Sequence, residues 1–217
     1  MFEERVLKVC EIFTSIQGES SYAGRPCTFV RLMGCNLRCS YCDTTFAYDE
    51  GIELSEEDIL TKIGRTGIGL VEITGGEPLV QREVYPFMKR LIEEGYEVLI
   101  ETNGSLSIKE IDRRAVVILD IKTPGSGMSE RMDYSNLDEI KKDDEVKFVI
   151  TDRDDYEWTK DIIERFSLTN KSGLLLSPAF GILAPEDLAR WMIEDRLRAR
   201  LNIQLQKYIF GPEKRRV

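Results

Sequence analysis

The sequence lacks several features that define common classes of protein. None of its 217 residues is a histidine, which excludes Ser-His-Asp triads, histidine general bases and zinc sites with histidine ligands. It has no apolar run approaching the roughly 18 residues that a membrane span needs. The first ten residues, MFEERVLKVC, lack the apolar core of a signal peptide. We therefore expect a cytoplasmic protein with no membrane segment.

Positive charge is also scarce. Lysine and arginine number 30 against 39 aspartate and glutamate residues, which gives a formal net charge of −9. Direct binding to nucleic acid is not expected, because it needs a basic surface for phosphates. Apolar residues make up 42% of the chain, enough for a sizeable core, and no repeat or low-complexity linker interrupts it. We expect residues 1–217 to form a single domain.

Short apolar runs alternate with helical stretches along the chain. The runs predict strands at residues 6–13, 27–33, 69–74, 96–102, 115–121, 145–150, 174–177 and 201–205. Such alternation is typical of βα units in a mainly parallel sheet. A closed eight-unit barrel takes about 250 residues, and this chain has room for about six units. The sequence therefore predicts an α/β fold, an incomplete (β/α)6-type partial TIM barrel with an N-terminal extension and a C-terminal tail. Ligands of such folds bind at the carboxyl ends of the strands.

Three cysteines lie close together after a predicted strand. Cys35, Cys39 and Cys42 have the spacing C-x3-C-x2-C, so a compact loop could aim their thiolates at one point. Structural zinc prefers four ligands, and without histidine the fourth would be Cys10, Cys27 or a carboxylate. An iron–sulfur cube held by three cysteines keeps one iron open for another ligand. Zinc and simple burial are the alternatives, and we expect Cys10 and Cys27 to be core thiols.

This spacing, with Tyr41 just before the third cysteine, resembles the signature of the radical S-adenosylmethionine (SAM) superfamily. The resemblance implies that Cys35, Cys39 and Cys42 bind a [4Fe–4S] cluster whose open iron takes the amino and carboxylate groups of SAM. One electron from the cluster would cleave SAM to a 5′-deoxyadenosyl radical, which abstracts a hydrogen atom from the substrate. In such enzymes the cofactor supplies the reactivity and the protein orients it.

Segments that end later strands resemble the SAM-binding parts of the same superfamily. The run Thr74-Gly75-Gly76-Glu77-Pro78 resembles the segment that binds the methionine amino group, although two glycines alone would suit an ordinary turn. Lys122 could pair with a carboxylate or be a solvated strand-end residue, and Ser177 could line the adenosine end or an ordinary loop. The implied cofactor-binding residues are Tyr41, Cys42, Asp43, Gly76, Glu77, Asp120, Ile121, Lys122 and Ser177.

The N-terminal run narrows the resemblance to one family. Residues 11–46, which contain Gln17-Gly18-Glu19 and Arg31, resemble the 7-carboxy-7-deazaguanine synthases, and the similarity continues at 74–78 and in the tail at 204–208. The resemblance implies a radical-mediated ring contraction of 6-carboxy-5,6,7,8-tetrahydropterin to 7-carboxy-7-deazaguanine, with loss of ammonia, in queuosine or archaeosine biosynthesis. It also implies Mg²⁺, a reduced flavodoxin or ferredoxin-type electron donor, and a homodimer.

The residue types in this run suit such a substrate. A pterin presents an edge of hydrogen-bond donors and acceptors, which Gln17, the Gly18 backbone and Glu19 could match. Arg31 offers a planar fork for the substrate carboxylate, and Thr44 offers a hard oxygen for Mg²⁺. Each could instead be an ordinary strand, loop or turn residue. The implied substrate-binding residues are Ile16, Gln17, Gly18, Glu19, Arg31 and Thr74.

The C-terminal region departs from the family pattern. Members of the family often carry histidine and tryptophan where this chain has Gln206 and Phe210, and the basic triplet at 214–216 is expected to be a solvated tail. Two other functions remain open. A glycyl-radical activating enzyme of the same superfamily would need a groove for its protein partner. A small iron–sulfur electron carrier would usually have a fourth cysteine ligand.

Overall fold

A computed structural model describes residues 5–212 and 214–216. In these ranges the strands are β1 (Val6–Ile16), β2 (Pro26–Leu32), β3 (Ile52–Ser55), β4 (Leu70–Gly75), β5 (Glu97–Thr102), β6 (Val116–Ile121), β7 (Glu145–Ile150), β8 (Gly173–Pro178) and β9 (Arg200–Leu201). The α-helices are α1 (Glu56–Gly64), α2 (Val84–Glu93), α3 (Asn136–Glu139), α4 (Arg153–Arg165), α5 (Pro185–Glu194) and α6 (Leu205–Phe210).

All of these strands belong to one open, mostly parallel sheet. Its order is β3-β1-β2-β4-β5-β6-β7-β8-β9. Strand β1 runs antiparallel to both β2 and β3, whereas the neighbouring pairs from β2 to β9 are parallel. Different strands form the two edges, so the described sheet does not close. The prediction of an α/β fold with a mainly parallel, open sheet is confirmed, and the parallel strands end on one side, where a ligand site is expected.

The strand boundaries differ from the prediction at both ends of the sheet. Strand β3 gives little sequence signal, because it is four residues long and its first two residues are exposed. The predicted strand 201–205 shortens to Arg200–Leu201, and Leu205 instead begins α6. Asn202 ends the strand because its side chain turns inward, accepting a hydrogen bond from the Ser20 backbone (2.8 Å) and donating one to Ser177 (2.8 Å).

The core lies between the sheet and the helices that cover it. Helix α2 contributes Val84, Phe87, Met88 and Leu91, which recur at helical spacing and are buried. Full burial of such side chains stabilises the fold by about 1.5–3 kcal/mol each. No helix in the described part of the chain has the length and apolar character that crossing a membrane requires.

Candidate active site

A cavity of about 590 Å³ is lined by residues at the carboxyl ends of the parallel strands and by the C-terminal segment. Of the 18 residues named above as site residues, 16 line it. They are Ile16, Gln17, Gly18, Glu19, Arg31, Cys35, Cys39, Tyr41, Cys42, Asp43, Thr44, Thr74, Gly76, Asp120, Lys122 and Ser177. The other two, Glu77 and Ile121, lie behind the wall.

The three cysteines occupy the loop that follows β2. All three are partly exposed free thiols that line the cavity. Ser40 fixes the loop by bonding through its backbone to Ser126 (3.0 Å) and through its hydroxyl to Gly125 (2.8 Å). Burial raises the pKa of the Cys35 and Cys39 thiols above the ordinary value. Within the described ranges, no three histidine, cysteine, aspartate or glutamate side chains are arranged to hold a single metal ion.

The glycine-rich segment after β4 packs directly against the cysteine loop. The Glu77 backbone N–H donates to the Gly34 carbonyl (2.8 Å), and a Cβ on Gly76 would collide with that carbonyl and with Cys35. Only glycine allows this close approach at position 76. The segment therefore shapes the wall beside the cysteines with its backbone.

Two predicted cofactor contacts do not reach the cavity. The carboxylate of Glu77 is buried and accepts hydrogen bonds from Leu79 N–H (3.0 Å), Asn103 N–H (2.7 Å) and the Thr102 hydroxyl (2.7 Å). It therefore ties the end of β4 to the end of β5, and burial raises its pKa. Ile121 packs in the hydrophobic core. An apolar residue at that position stabilises the end of β6, and its side chain is turned away from any ligand in the cavity.

A cluster of charges lines the cavity beneath the cysteine loop. Lys147 lies between Glu101, Glu19 (3.1 Å) and Asp120 (3.5 Å), and Lys122 forms a second ion pair with Asp120 (2.8 Å). Burial lowers the pKa of Lys147, but the surrounding carboxylates outweigh this and hold it well above its ordinary value. Burial likewise raises the pKa of Asp120, and the two lysines reverse the effect and lower it. Lys147 and Asp120 are therefore both ionised.

Gln17 reaches into the cavity from the loop after β1. Its amide nitrogen donates to Glu72, and its amide oxygen accepts the backbone N–H of Glu19 (2.5 Å). Burial, together with the nearby charges of Glu101 and Glu19, raises the pKa of Glu72 to about 8. A protonated Glu72 accepts the Gln17 hydrogen bond without adding a further negative charge.

Arg31 forms another part of the wall together with the C-terminal residues. Its Nε donates to Glu11 (2.9 Å), and its guanidinium lies 6.0 Å from the centre of the Phe46 ring. Arg215 and Arg216 also donate to Glu11, each at 3.0 Å, and Arg215 stacks 3.6 Å from the Phe46 ring centre. Lys214, Arg215 and Arg216 are exposed, as predicted for a solvated tail. The two arginines also pair with the buried Glu11 carboxylate, which was not predicted.

The C-terminal helix closes the side of the cavity between β9 and β1. Lys207 donates to Asp43 (2.7 Å), and Gln204 donates to Asp43 and Glu19 (3.2 Å each). Gln206 packs against Gly18 so closely that a Cβ on the glycine would overlap its side chain. The Gln206 Oε1 atom is buried, with no hydrogen-bond partner among the described residues. It is therefore free to accept a hydrogen bond from a ligand.

Comparison with known proteins shows which family the chain belongs to. Residues 30–172 match the model of the radical SAM superfamily. The chain is 44% identical to the 7-carboxy-7-deazaguanine synthase of Koribacter versatilis, over 95% of this chain and 98% of the relative. It is 41% identical to the enzyme of that name from Chlorobaculum tepidum, over the full length of both. The chain belongs to the radical SAM superfamily and, within it, to the 7-carboxy-7-deazaguanine synthase family.

A solved structure agrees with this membership. The crystal structure of QueE from Escherichia coli superposes with a TM-score of 0.77 at 25% identity, and the match covers 92% of this chain and 94% of that one. The match covers a larger share of the chain than the part matched by the superfamily model.

Membership in the radical SAM superfamily implies a [4Fe–4S] cluster and SAM, and the cavity has groups suited to both. Three thiols from one loop are the donor set for a cube that keeps an open iron. Two buried polar atoms of cavity-lining residues, the Tyr41 hydroxyl and Asp120 Oδ1, have no hydrogen-bond partner in the described ranges. Because buried polar groups rarely stay unpaired, these atoms fit a polar ligand bound beside the cysteines.

Several cavity-lining residues of this synthase-family chain are absent from the predicted set. The charged and amide residues among them include Glu11, Glu72, Glu101, Lys147, Gln204 and the two tail arginines Arg215 and Arg216. Glu72 and Lys147 did carry a signal, because each is a charged residue within a mostly apolar, buried strand. The tail arginines carry none, since nothing in the local sequence indicates that they pack against β1.

Proposed function

We propose that this chain catalyses the radical-mediated ring contraction of 6-carboxy-5,6,7,8-tetrahydropterin to 7-carboxy-7-deazaguanine, with loss of ammonia, in 7-deazapurine biosynthesis. The observation that carries the proposal is a single cavity with two chemically different parts. One part has the three-cysteine loop, and the other has amide and carboxylate groups that complement a pterin edge. Full-length relatives that bear the name of this activity support it.

In this proposal Cys35, Cys39 and Cys42 hold the [4Fe–4S] cluster. When bound, the cluster and SAM supply the one-electron chemistry that removes a hydrogen atom from the substrate. The residues proposed to surround SAM are Tyr41, Asp43, Gly76, Asp120, Lys122 and Ser177, with Glu77 and Ile121 bracing them from behind. The Tyr41 hydroxyl and Asp120 Oδ1 support this assignment, because both are buried, have no hydrogen-bond partner among the described residues and could form hydrogen bonds with SAM.

The pterin is proposed to lie against Gln17, Gly18, Glu19 and Thr74, with Ile16 beside it. Glu19 accepts hydrogen bonds from the N–H groups of the pterin edge, and Gln17 fixes the Glu19 backbone through its own amide oxygen. Because the chain has already ordered these groups, binding needs little reorganisation. A site built to pair N–H groups discriminates strongly against analogues that lack them.

Arg31 is proposed to bind the substrate carboxylate. Its Nε is committed to Glu11, and its two terminal nitrogens have no hydrogen-bond partner among the described residues. Those two N–H groups form one edge of the planar fork, which matches the two oxygens of a carboxylate. Glu11 therefore orients the fork, and Arg215 and Arg216 balance the charge of Glu11.

Six finer points belong to the same proposal. Thr44 binds Mg²⁺ through its hydroxyl, two residues after the last cluster cysteine. The sheet forms an incomplete (β/α)6-type partial TIM barrel, and residues 1–217 form a single domain. The active species is a homodimer. A reduced flavodoxin or ferredoxin-type protein supplies the electron, and the product enters queuosine or archaeosine synthesis.

The proposed function is tested by anaerobic turnover. The protein with reconstituted cluster is incubated with SAM, Mg²⁺, a chemical reductant and 6-carboxy-5,6,7,8-tetrahydropterin, and the products are followed by mass spectrometry. We expect a product whose mass is lower than that of the substrate by one ammonia, while SAM is not consumed in proportion. A matched pterin without the 6-carboxylate should be turned over poorly, because the terminal nitrogens of Arg31 then have no substrate carboxylate to bind.

Two results would contradict the proposal. Formation of 5′-deoxyadenosine without conversion of the pterin would keep the radical chemistry but exclude this substrate, and would favour a protein substrate as in a glycyl-radical activating enzyme. A reconstituted protein that takes up one electron per cluster and ignores SAM would be an electron carrier.

A further inference from the structure

Lys147 is a buried lysine on a strand that is otherwise mostly apolar. It stands in β7 between Val146 and Phe148, and only 7% of its side chain is exposed. Removing an ammonium group from water costs several kcal/mol unless opposite charges replace the lost hydration. Here the replacement comes from three carboxylates, those of Glu101, Glu19 and Asp120.

These carboxylates come from separate parts of the chain. Glu19 lies in the loop after β1, Glu101 in β5 and Asp120 in β6, and all three line the cavity with Lys147. Asp120 has a second cation, Lys122, at 2.8 Å. Glu19 and Glu101 have Lys147 as their only ion-pair partner within the described ranges. Lys147 is therefore the one cation that pairs with both glutamates in the described part of the chain.

The remaining neighbours keep the two carboxylates in place but do not neutralise them. Glu101 accepts a hydrogen bond from the Thr74 hydroxyl (3.4 Å), and Glu19 accepts one from the Gln204 amide (3.2 Å). Behind them, Glu72 is fully buried and feels the charges of both glutamates. Without a cation at position 147, several carboxyl groups would share a desolvated space, and like charges there favour uptake of a proton.

We propose that Lys147 is a positioning residue for substrate binding: it holds Glu19 and Glu101 ionised and directed into the cavity, where they accept hydrogen bonds from the N–H groups of the pterin edge. The inference rests on the proposed function. A carboxylate accepts from adjacent N–H donors in a bidentate manner, whereas a protonated carboxyl group offers one fewer acceptor. Loss of Lys147 should therefore weaken pterin binding without direct contact between the lysine and the pterin.

The test is an equilibrium titration of the reconstituted protein with 6-carboxypterin, a fluorescent and oxidised analogue of the substrate, from pH 6 to pH 8. Lys147→Met removes the charge and keeps the length of the side chain. The double variant Lys147→Met/Glu101→Gln also removes one of the unbalanced carboxylates, which reduces the repulsion between the acidic groups left without Lys147. Lys141→Met is the matched control, because Lys141 pairs with the buried Asp144 outside the cavity.

We expect Lys147→Met to raise Kd at least 10-fold over the wild type at pH 6, and this ratio to fall toward pH 8 as the glutamates ionise again. Dividing by the wild-type value at each pH removes the titration of the ligand itself. The double variant should bind at least 10-fold more weakly with a ratio that changes less with pH, and the control should match the wild type.

Three outcomes have distinct meanings. A Kd for Lys147→Met or for the double variant within twofold of the wild type at pH 6 would overturn the role of Lys147. A loss in Lys147→Met that does not vary with pH would overturn it as well, because a merely structural role predicts that result. If the wild type itself does not bind 6-carboxypterin, the proposed function fails rather than the inference about Lys147.

Discussion

Lys207 Nζ lies 2.7 Å from Asp43 Oδ2 and so joins the C-terminal helix to the residue that follows the third cysteine. Burial raises the pKa of Asp43, but Lys207 and Gln204 outweigh this and lower it, so the Asp43 carboxylate is ionised. The contact spans 164 positions of sequence. It holds α6 against the cysteine loop across the side of the cavity that the open sheet leaves uncovered.

We expect Lys207→Met to weaken substrate binding while changing stability little. Asp43 is half-exposed, and an ion pair of this kind contributes about 0.2–1 kcal/mol. If that energy supports closure of α6, the Kd for 6-carboxypterin should rise about 1.5- to 5-fold. Tm should fall by no more than about 4 °C. Fluorescence titration and calorimetry measure the two quantities.

A matched control for this prediction lies on the other side of the molecule. Lys160 pairs with Asp195 at 2.6 Å between α4 and the end of α5, and neither residue lines the cavity. Lys160→Met should lower Tm by a similar amount and leave Kd unchanged. Equal effects of the two variants on Kd would show that α6 does not contribute to closure.

The sequence was most informative where chemistry requires a fixed local spacing. The C-x3-C-x2-C run and the Gly75-Gly76 pair are local, and the structure brings both to one cavity with the Gln17-Gly18-Glu19 run. The short apolar runs predicted the central strands well. Strands that are covered on both faces of a sheet are almost continuously apolar, so they stand out in the sequence.

Other parts depend on contacts between distant residues and could not be predicted. Glu11 and Arg215 are 204 positions apart, and a basic tail has the same local sequence whether it is solvated or docked. The resemblance of the segment at 74–78 to a SAM-binding segment suggested a ligand contact for Glu77, but the Glu77 carboxylate accepts hydrogen bonds from three donors of the protein itself. Polar residue type alone does not distinguish a residue that binds a ligand from one that braces the wall.

The cysteines provide a direct prediction about cluster content. Ser substitution of Cys35, Cys39 or Cys42 should abolish stable cluster incorporation, measured as iron and sulfide per chain and as visible absorbance near 400 nm (about the range of iron–sulfur charge transfer). Cys27→Ala is the control, because Cys27 is buried in a separate apolar cluster with Leu70 and Leu99. It should retain the wild-type iron content. Full iron content in any of the three serine variants would exclude that cysteine as a ligand.

The raised pKa of Glu72 gives a prediction about stability and pH. Its pKa is about 8 in the folded protein against an ordinary value of 4.5, chiefly because of burial. The folded state therefore binds the proton more tightly, and the contribution of Glu72 to stability is lost as pH rises from about 4.5 toward 8. Glu72→Gln does not titrate and still accepts the Gln17 hydrogen bond.

We expect the Tm of Glu72→Gln relative to the wild type to be higher at pH 8.5 than at pH 5.5 by about 2–4 °C or more, corresponding to about 1 kcal/mol or more. Glu57→Gln is the control, because Glu57 is exposed on α1, and its relative Tm should not change with pH. A relative Tm for Glu72→Gln that is equal at the two pH values would mean that Glu72 is ionised in the folded protein.

The contact between Gly18 and Gln206 gives a steric prediction. A Cβ at position 18 would overlap the Gln206 side chain and crowd its backbone nitrogen, so Gly18→Ala must displace the start of α6. Displacement would also strain the bond from Leu205 N–H to the Gly18 carbonyl (2.9 Å). We expect Kd for 6-carboxypterin to rise about 10-fold, the equivalent of about 1.4 kcal/mol.

Gly18→Ala/Gln206→Ala should recover part of the loss in binding, because the overlap with the Gln206 side chain is gone. Gly69→Ala is the control, since its Cβ would meet open space. If Gly18→Ala binds as the wild type does, α6 moves without cost to the site, and the closure of the cavity by this helix is not needed for binding.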